Sequence, residues 1–208
     1  MIIYKLETAD IYSGFMQPQV LEDDYYSWKF FRELFLFRKF QKYEVDPTIK
    51  FKHYHNEIIL DKEPDYCYLL GNPIFSDKAI DTLGYILSDH IEYKILNNQD
   101  NINKKKYYVS LLSFTRDCID FFKSDYDKDK YGYCPGIPEP SFPAPINKFE
   151  LIESRINPHI DIFRMKLEKN GIFCNQNFVD NIIVNKLIGF KFIPIWSSDG
   201  VLGDVIQT

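Results

Sequence analysis

Two aspartates three residues apart are the first side chains in this sequence whose spacing could support chemistry. Asp117 and Asp120 would share one face of a helical turn. Two carboxylates so placed could hold a metal ion, or act as an acid and a base. The alternative is that Asp117 caps the segment and that Asp120 is solvated or paired with Arg116. We favour this alternative because no third ligand of matching type is close in the sequence.

Two histidines form the second candidate constellation. His53 and His55 alternate along a stretch that reads as a β-strand, so both rings would point to the same face. Zinc can use two such histidines, but a site needs a further Cys, His or Asp, which the sequence does not place. Lys50 and Lys52 interleave with the pair, which favours a half-exposed strand face. We therefore predict no metal and no other cofactor.

An acidic and aromatic segment is the candidate for binding a protein partner. Carboxylates steer a basic partner, and desolvated tyrosines can anchor it. Neighbouring lysines dilute the charge, so a plain solvated loop is the alternative. The predicted partner-binding residues are Asp125, Tyr126, Asp127, Asp129, Tyr131 and Tyr133. A second, weaker candidate is the patch of Glu22, Asp23, Asp24, Tyr25 and Tyr26.

The sequence gives little support for a protein with a phosphate-binding loop or for a nucleic-acid binder. The nine glycines form neither a GxGxxG nor a GxxxxGK loop. The run of Lys104, Lys105 and Lys106 reads as a short solvated basic turn. The net charge of −5 argues against a nucleic-acid binder, because phosphate binding needs a basic face.

The cysteines and the hydropathy pattern bear on the compartment. No CxxC spacing occurs among Cys67, Cys118, Cys134 and Cys174, so we predict reduced and partly buried thiols. The opening residues lack the basic and apolar regions of a signal peptide, and no stretch approaches a membrane span. We therefore predict a cytoplasmic protein with no membrane partner.

The elements that must position these residues include a helix–strand unit that occurs twice. The first copy runs from Ile74 to Leu96 and the second from Ile172 to Ile195. Each has a short apolar entry, a polar capping position, an amphipathic helix and a strand with alternating apolar residues. The sequence thus predicts an α+β fold: a mixed or mostly antiparallel sheet with packed helices and an internal pseudo-repeat.

Boundaries follow from the same patterns. Ser76 or Asp77 is predicted to cap a helix over residues 78–88, and strands are predicted over residues 2–6, 107–112 and 149–156. One domain over residues 1–208 is the default, although two small ones are not excluded by length. Within it we expect a less regular part over residues 1–64 and a long Pro-rich loop over residues 125–145.

Several segments, taken in order, resemble a known family. They are Pro73 to Ser76, Tyr107 to Leu112, Asp117-Cys118-Ile119-Asp120, Ile162 to Arg164, and the closing run from Leu187 to Trp196 with its Gly-Phe-Lys-Phe-Ile-Pro stretch. This order and spacing is similar to that of the immunity proteins of bacterial polymorphic toxin systems, in a branch long catalogued as a domain of unknown function. The resemblance spans roughly residues 65–196 of the sequence.

The resemblance implies a binding role and not an enzyme. Such a protein neutralises a cognate toxin by occlusion, inside the producing cell. Two alternatives stay open: a small metal-dependent enzyme that uses Asp117 and Asp120 or the histidine pair, and a ligand-binding regulatory domain with an aromatic pocket.

Overall fold

The computed structural model describes residues 1–20, 29–30, 47–53, 62–69, 71–87, 91–98, 105–112, 115–127, 146–166 and 168–208. The chain divides into two compact units. The first unit comprises Met1–Leu6, Phe114–Asp180 and Phe192–Ile206, and the second comprises Glu7–Ser113, Asn181–Lys191 and Gln207–Thr208. The default of one domain over residues 1–208 does not anticipate this division.

The elements mix short helices with many strands. In chain order they are β1 (Ile2–Thr8), α1 (Asp10–Phe15), β2 (Met16–Val20), β3 (Thr48–His53), β4 (Tyr66–Leu69), β5 (Asn72–Ser76), α2 (Asp77–Leu87), β6 (Ile91–Asn98), β7 (Tyr107–Leu112), β8 (Thr115–Arg116), β9 (Asp125–Tyr126), β10 (Ile146–Lys148), a 3₁₀ helix (Glu153–Arg155), β11 (Ile162–Met165), β12 (Glu168–Asn175), α3 (Gln176–Val184), β13 (Phe190–Ser197) and β14 (Ile206–Gln207).

The second unit is built on a sheet with the strand order β2–β3–β6–β7–β5–β4. β7 pairs antiparallel with both β5 and β6, which are the two strands that α2 connects. The core includes Ile74, Val109 and Leu111 from these strands, all nearly inaccessible to solvent. The pairing of β3 with β6 is parallel, so the sheet is mixed but mostly antiparallel.

The first unit is built on a sheet with the strand order β14–β13–β1–β12–β11–β8. Here β1 lies between β12 and β13, the two strands that α3 connects, and it pairs antiparallel with β12. A separate two-stranded ladder joins β9 to β10. The core includes Ile3, Phe163 and Phe173, which are fully or almost fully buried.

Both connecting helices start at a side-chain cap. The Ala79 N–H donates to Ser76 Oγ (3.2 Å), and the Phe178 N–H donates to Asn175 Oδ1 (3.1 Å). These bonds satisfy amide donors that the first turn of a helix leaves open. The buried residues of α2 are Ala79, Leu83, Ile86 and Leu87, a spacing that forms one apolar stripe.

The predicted α+β class with mostly antiparallel sheets is confirmed, and so are the strands over residues 2–6 and 107–112. The strand predicted over residues 149–156 is wrong. Leu151 forms a single bridge with Ile119, and the chain then enters the 3₁₀ helix. The alternating apolar residues of this segment pack into the core, but among the described residues no strand pairs with the segment over its whole length.

Candidate functional site

The predicted acidic and aromatic interface is only partly described. Tyr126 is 4% exposed and packs edge-on against Phe121, with ring centroids 5.8 Å apart. It is therefore a core residue, and its burial does not support the prediction that it anchors a partner. Asp125 and Asp127 are exposed. Asp129, Tyr131 and Tyr133 lie outside the described residues, as does the weaker patch over residues 22–26.

The aspartate pair does not form a site. Asp120 Oδ1 accepts the N–H groups of Phe122 (3.1 Å) and Lys123 (3.3 Å), so Asp120 is the residue that caps the turn. Asp117, which we expected to be the cap, is exposed and its Oδ2 lies 3.6 Å from Lys166 Nζ. Asp120 Oδ2 lies 3.3 Å from Lys123 Nζ, and the side chain of Arg116, the predicted alternative partner, lies outside the described residues.

The histidine pair falls partly outside the described residues. His53 ends β3, and His55 lies in the range 54–61, which the structure does not describe. Among the described residues, no group of three or more His, Cys, Asp or Glu side chains is placed to hold a metal ion.

An exposed apolar loop in the first unit is the surface feature most suited to a partner. Between β13 and β14, Val201, Leu202 and Val205 are 67%, 51% and 50% exposed, and Asp199 and Asp204 are exposed beside them. We call residues 199–205 the apolar loop. Val201 and Leu202 are adjacent and Val205 lies three residues further on, so exposed aliphatic side chains are concentrated in this loop, and groups of exposed apolar side chains are a feature of interaction sites.

Hydrogen bonds fix the base of the apolar loop. Ser197 Oγ bonds the Asp199 carboxylate, whose Oδ1 accepts the Val201 N–H at 3.1 Å. The Gly200 N–H donates to the Ser197 carbonyl at 3.2 Å. β14, which follows the apolar loop, lies at the edge of its sheet. Val205 lies four residues after Val201 and three after Leu202, a spacing that is typical of a helix, and the signal that the sequence analysis missed is this group of aliphatic residues in a glycine-containing tail.

A buried ion pair organises one end of the second unit. Asp65 is 1% exposed, and its Oδ1 lies 2.8 Å from Lys105 Nζ. The same carboxylate accepts hydrogen bonds from Ser76 Oγ (2.8 Å) and from the Ile188 N–H (3.0 Å). Lys78 Nζ lies 3.6 Å from its Oδ2. Asp65 thus contacts the cap of α2, the segment before β7 and the segment before β13.

Two opposing effects act on the pKa of Asp65. Burial alone raises it, because desolvation disfavours the charged form. Hydrogen bonds from Lys105 and the Ile188 N–H and the charge of Lys105 outweigh that effect, so the pKa lies below its usual value. Asp65 is therefore ionised, and its charge is matched inside the fold.

A cavity of about 390 Å³ opens beside this ion pair, entirely within the second unit. We call it the lysine cavity. Its lining consists of Lys62, Glu63, Asp65, Lys78, Lys105, Lys186 and Ile188. The prediction of a solvated basic turn over residues 104–106 is wrong for Lys105, which is 18% exposed and bonded to Asp65. No local sequence pattern predicts this site, because its residues are far apart in the chain: Ile188 lies 123 residues from Asp65.

The segments that carry the family resemblance are structural. Cys118 and Ile119 are buried in the core of the first unit. In the second unit Gly189 has φ 99°, and a Cβ there would lie 2.6 Å from the Tyr66 carbonyl oxygen. Only glycine fits this position without a shift of the backbone. Cys118, Ile119 and Gly189, which lie in these segments, therefore have structural roles.

No protein-family model and no curated protein matches this chain. Within the described part of the chain, none of the helices has the length and apolar character that crossing a membrane requires.

Proposed function

We propose that this protein is an immunity protein that binds a cognate bacterial toxin domain and neutralises it by occlusion. The order of segments between roughly residues 65 and 196, similar to that of immunity proteins, supports the proposal. Tight binding covers the active site of the toxin or blocks the path of its substrate, in the cytoplasm of the producing cell. The protein acts by stoichiometric binding and not by catalysis.

The apolar loop is the observation that carries the proposal. Its three aliphatic side chains are each half or more exposed, and covering them would contribute about 1 kcal/mol per side chain. The bonds at Ser197 and Asp199 hold the base of the loop, which lowers the entropic cost of ordering it on binding. Asp199 and Asp204 would speed association with a basic toxin surface.

The test begins with the partner. The protein is purified from its native cells, and the protein that accompanies it is identified and titrated. We expect a one-to-one complex with the C-terminal domain of a large secreted protein. Expressed alone, that domain should stop growth, and co-expression with this chain should restore growth. Absence of any such complex, or failure to restore growth, would remove the basis of the immunity proposal.

The surface is then mapped with matched variants. The triple variant Val201→Ser, Leu202→Ser, Val205→Ser should weaken the complex about 100-fold, since it removes about 3 kcal/mol of apolar contact. Val184→Ser is the control, because Val184 is an aliphatic residue of comparable exposure (76%) outside the loop. If the triple variant and Val184→Ser weaken the complex equally, or if neither variant weakens it, the apolar loop is not the interface. The proposal that the protein neutralises a toxin would stand in either case.

The exposed carboxylates of the predicted segment are tested in the same assay. Asp125→Ala with Asp127→Ala should slow association, and the effect should fade at high salt. A change confined to the dissociation rate would argue against a steering role.

We also propose that the two strand–helix–strand segments form a pseudo-repeat. Each helix is capped by the last residue of the preceding strand, Ser76 or Asn175. Each capping side chain also donates to an aspartate, at 2.8 Å in both cases: Ser76 to Asp65, and Asn175 to Asp161. Matching polar contacts at matching positions support a common origin for the two segments.

A further inference from the structure

We propose that the lysine cavity binds a small anion that carries phosphate groups. This inference rests on the second unit alone and stands whether or not the protein neutralises a toxin. At about 390 Å³ the cavity falls within the size range of small-molecule sites, roughly 300–1,000 Å³. The charges that line it define the chemistry of the ligand.

The lining is positively charged in a protein that is acidic overall. Four lysines face two carboxylates, which leaves an excess of two positive charges in a chain whose net charge is −5. Like charges gathered around a cavity repel one another, and an anion between them removes that repulsion. Among the described residues of the lining, Ile188 is the one apolar side chain, so these residues offer an apolar ligand little to contact.

The buried ion pair does not compete for the anion. Lys105 Nζ donates to Asp65 Oδ1 (2.8 Å) and to the carbonyls of Glu63 (2.8 Å) and Pro64 (3.2 Å). An ammonium group has three donors, so Lys105 is fully used. The oxygens of Asp65 in turn accept bonds from Ser76 and Ile188, and Asp65 Oδ2 also lies 3.6 Å from Lys78 Nζ. Asp65 and Lys105 together carry no net charge, so the other lysines of the lining are the ones that would meet the anion.

The rim supplies the groups that would meet the anion. Among the described residues, neither Lys62 nor Lys186 has a carboxylate partner within ion-pair distance, and both are exposed. Lys78 is 52% exposed, and its Nζ donates to the main-chain carbonyl of Lys186 at 3.1 Å, which holds the Lys78 ammonium group against the backbone of Lys186. Lysine ammonium groups are compact point charges that bind phosphate, which selects this class of anion.

The position of Lys186 adds a geometric reason. It follows α3 with φ 52°, the left-handed conformation that closes a helix and that usually falls to glycine. The Lys186 N–H donates to the Ile183 carbonyl and the Leu187 N–H to the Ile182 carbonyl, which completes the turn. A lysine at this position adds a positive charge to the rim that glycine could not supply.

The probe is inorganic tripolyphosphate, titrated calorimetrically at low ionic strength, with sodium chloride of equal ionic strength as the blank. We expect one binding site per chain. The double variant Lys62→Gln, Lys186→Gln should weaken binding at least tenfold. Lys148→Gln is the control, because Lys148 is 73% exposed, belongs to the first unit and is not among the residues that line the cavity. Thermal melts of all variants establish that they are folded.

A second measurement needs no variant. Tripolyphosphate should protect Lys62, Lys78 and Lys186 from acetylation, read by mass spectrometry, and should leave Lys148 reactive. No binding at millimolar tripolyphosphate, or equal weakening by the double variant and by Lys148→Gln, would overturn the proposal. Protection of the rim lysines by an acidic protein partner but not by tripolyphosphate would also overturn it, and would assign the cavity to a protein interface.

Discussion

The buried Asp65 carboxylate is the point at which the second unit is most sensitive to a single substitution. Asp65→Asn keeps the shape of the side chain but removes its charge. Lys105, which is 18% exposed, then loses the carboxylate that lies 2.8 Å from its Nζ. Breaking a buried pair from one side costs about 3–5 kcal/mol. The partial exposure of Lys105 and its two remaining carbonyl contacts favour the lower end, so we expect a loss of about 3 kcal/mol.

The assay is urea unfolding followed by circular dichroism, because guanidinium salts would screen the charges under test. Asp117→Asn is the control: Asp117 is 48% exposed and faces Lys166 at 3.6 Å, and a surface pair contributes less than about 1 kcal/mol. The double variant Asp65→Asn, Lys105→Met should recover part of the loss, since it removes the stranded cation. A loss for Asp65→Asn no larger than that for Asp117→Asn would refute this reasoning.

The same residue predicts a dependence on pH. The pKa of Asp65 is lowered in the folded state, so the folded protein binds fewer protons than the unfolded chain in acid. This contribution is present above the unfolded pKa of about 3.9 and is lost as the pH falls through the lower folded pKa. The free energy of unfolding of the native protein should therefore fall more steeply below about pH 4 than that of Asp65→Asn. Parallel curves would contradict the assigned direction of the pKa shift.

Three further predictions concern stability and are measured by urea unfolding. Gly189→Ala should cost about 2–4 kcal/mol through strain and a backbone clash, whereas Gly200→Ala, with φ 77° and open space around it, should cost about 1 kcal/mol. Ser110→Ala should stabilise by up to about 1 kcal/mol, because the buried Ser110 Oγ has no hydrogen-bond partner among the described residues. Asn175→Ala should cost about 1 kcal/mol by removing the cap of α3, and Asn175→Ser should lose less.

Each of these predictions has a distinct contrary outcome. Similar losses at Gly189 and Gly200 would mean that the clash at Gly189 relaxes. Destabilisation by Ser110→Ala would indicate that the hydroxyl has a partner, and equal losses for the two Asn175 variants would show that the cap contributes little.

Local signals in the sequence are sufficient to predict α2 and its bounds to within one residue. The polar cap, the acidic first turn and the apolar stripe all lie within a dozen residues, and the predicted bounds of 78–88 differ by one residue from Asp77–Leu87. The segment over residues 149–156 failed because a strand needs a partner, and the alternation of apolar residues does not report whether one is adjacent. Leu151 finds a single bridge there instead of a ladder.

The Asp65 centre could not be predicted from the sequence. Its contacts come from Ser76, Lys105 and Ile188, and nothing in the local pattern around Asp65 distinguishes it from a solvated acid. Lys105 sits in a lysine-rich run that reads as a solvated turn, yet it is largely buried. Charge pairs of this kind depend on the tertiary fold, because only the fold brings residues that are distant in the sequence close enough to interact.

The central place of β1 in the sheet of the first unit has a consequence for synthesis on the ribosome. Ile3 pairs with Asn175, so β1 is made well before the strands on either side of it. At translation rates of about 5–20 residues per second, the delay is on the order of 10–30 seconds. Both edges of β1 stay open during that time, while β4, β5, β6 and β7 of the second unit emerge consecutively and can pair at once. The nascent chain thus has a period in which β1 is available to chaperones or to another nascent copy of the chain.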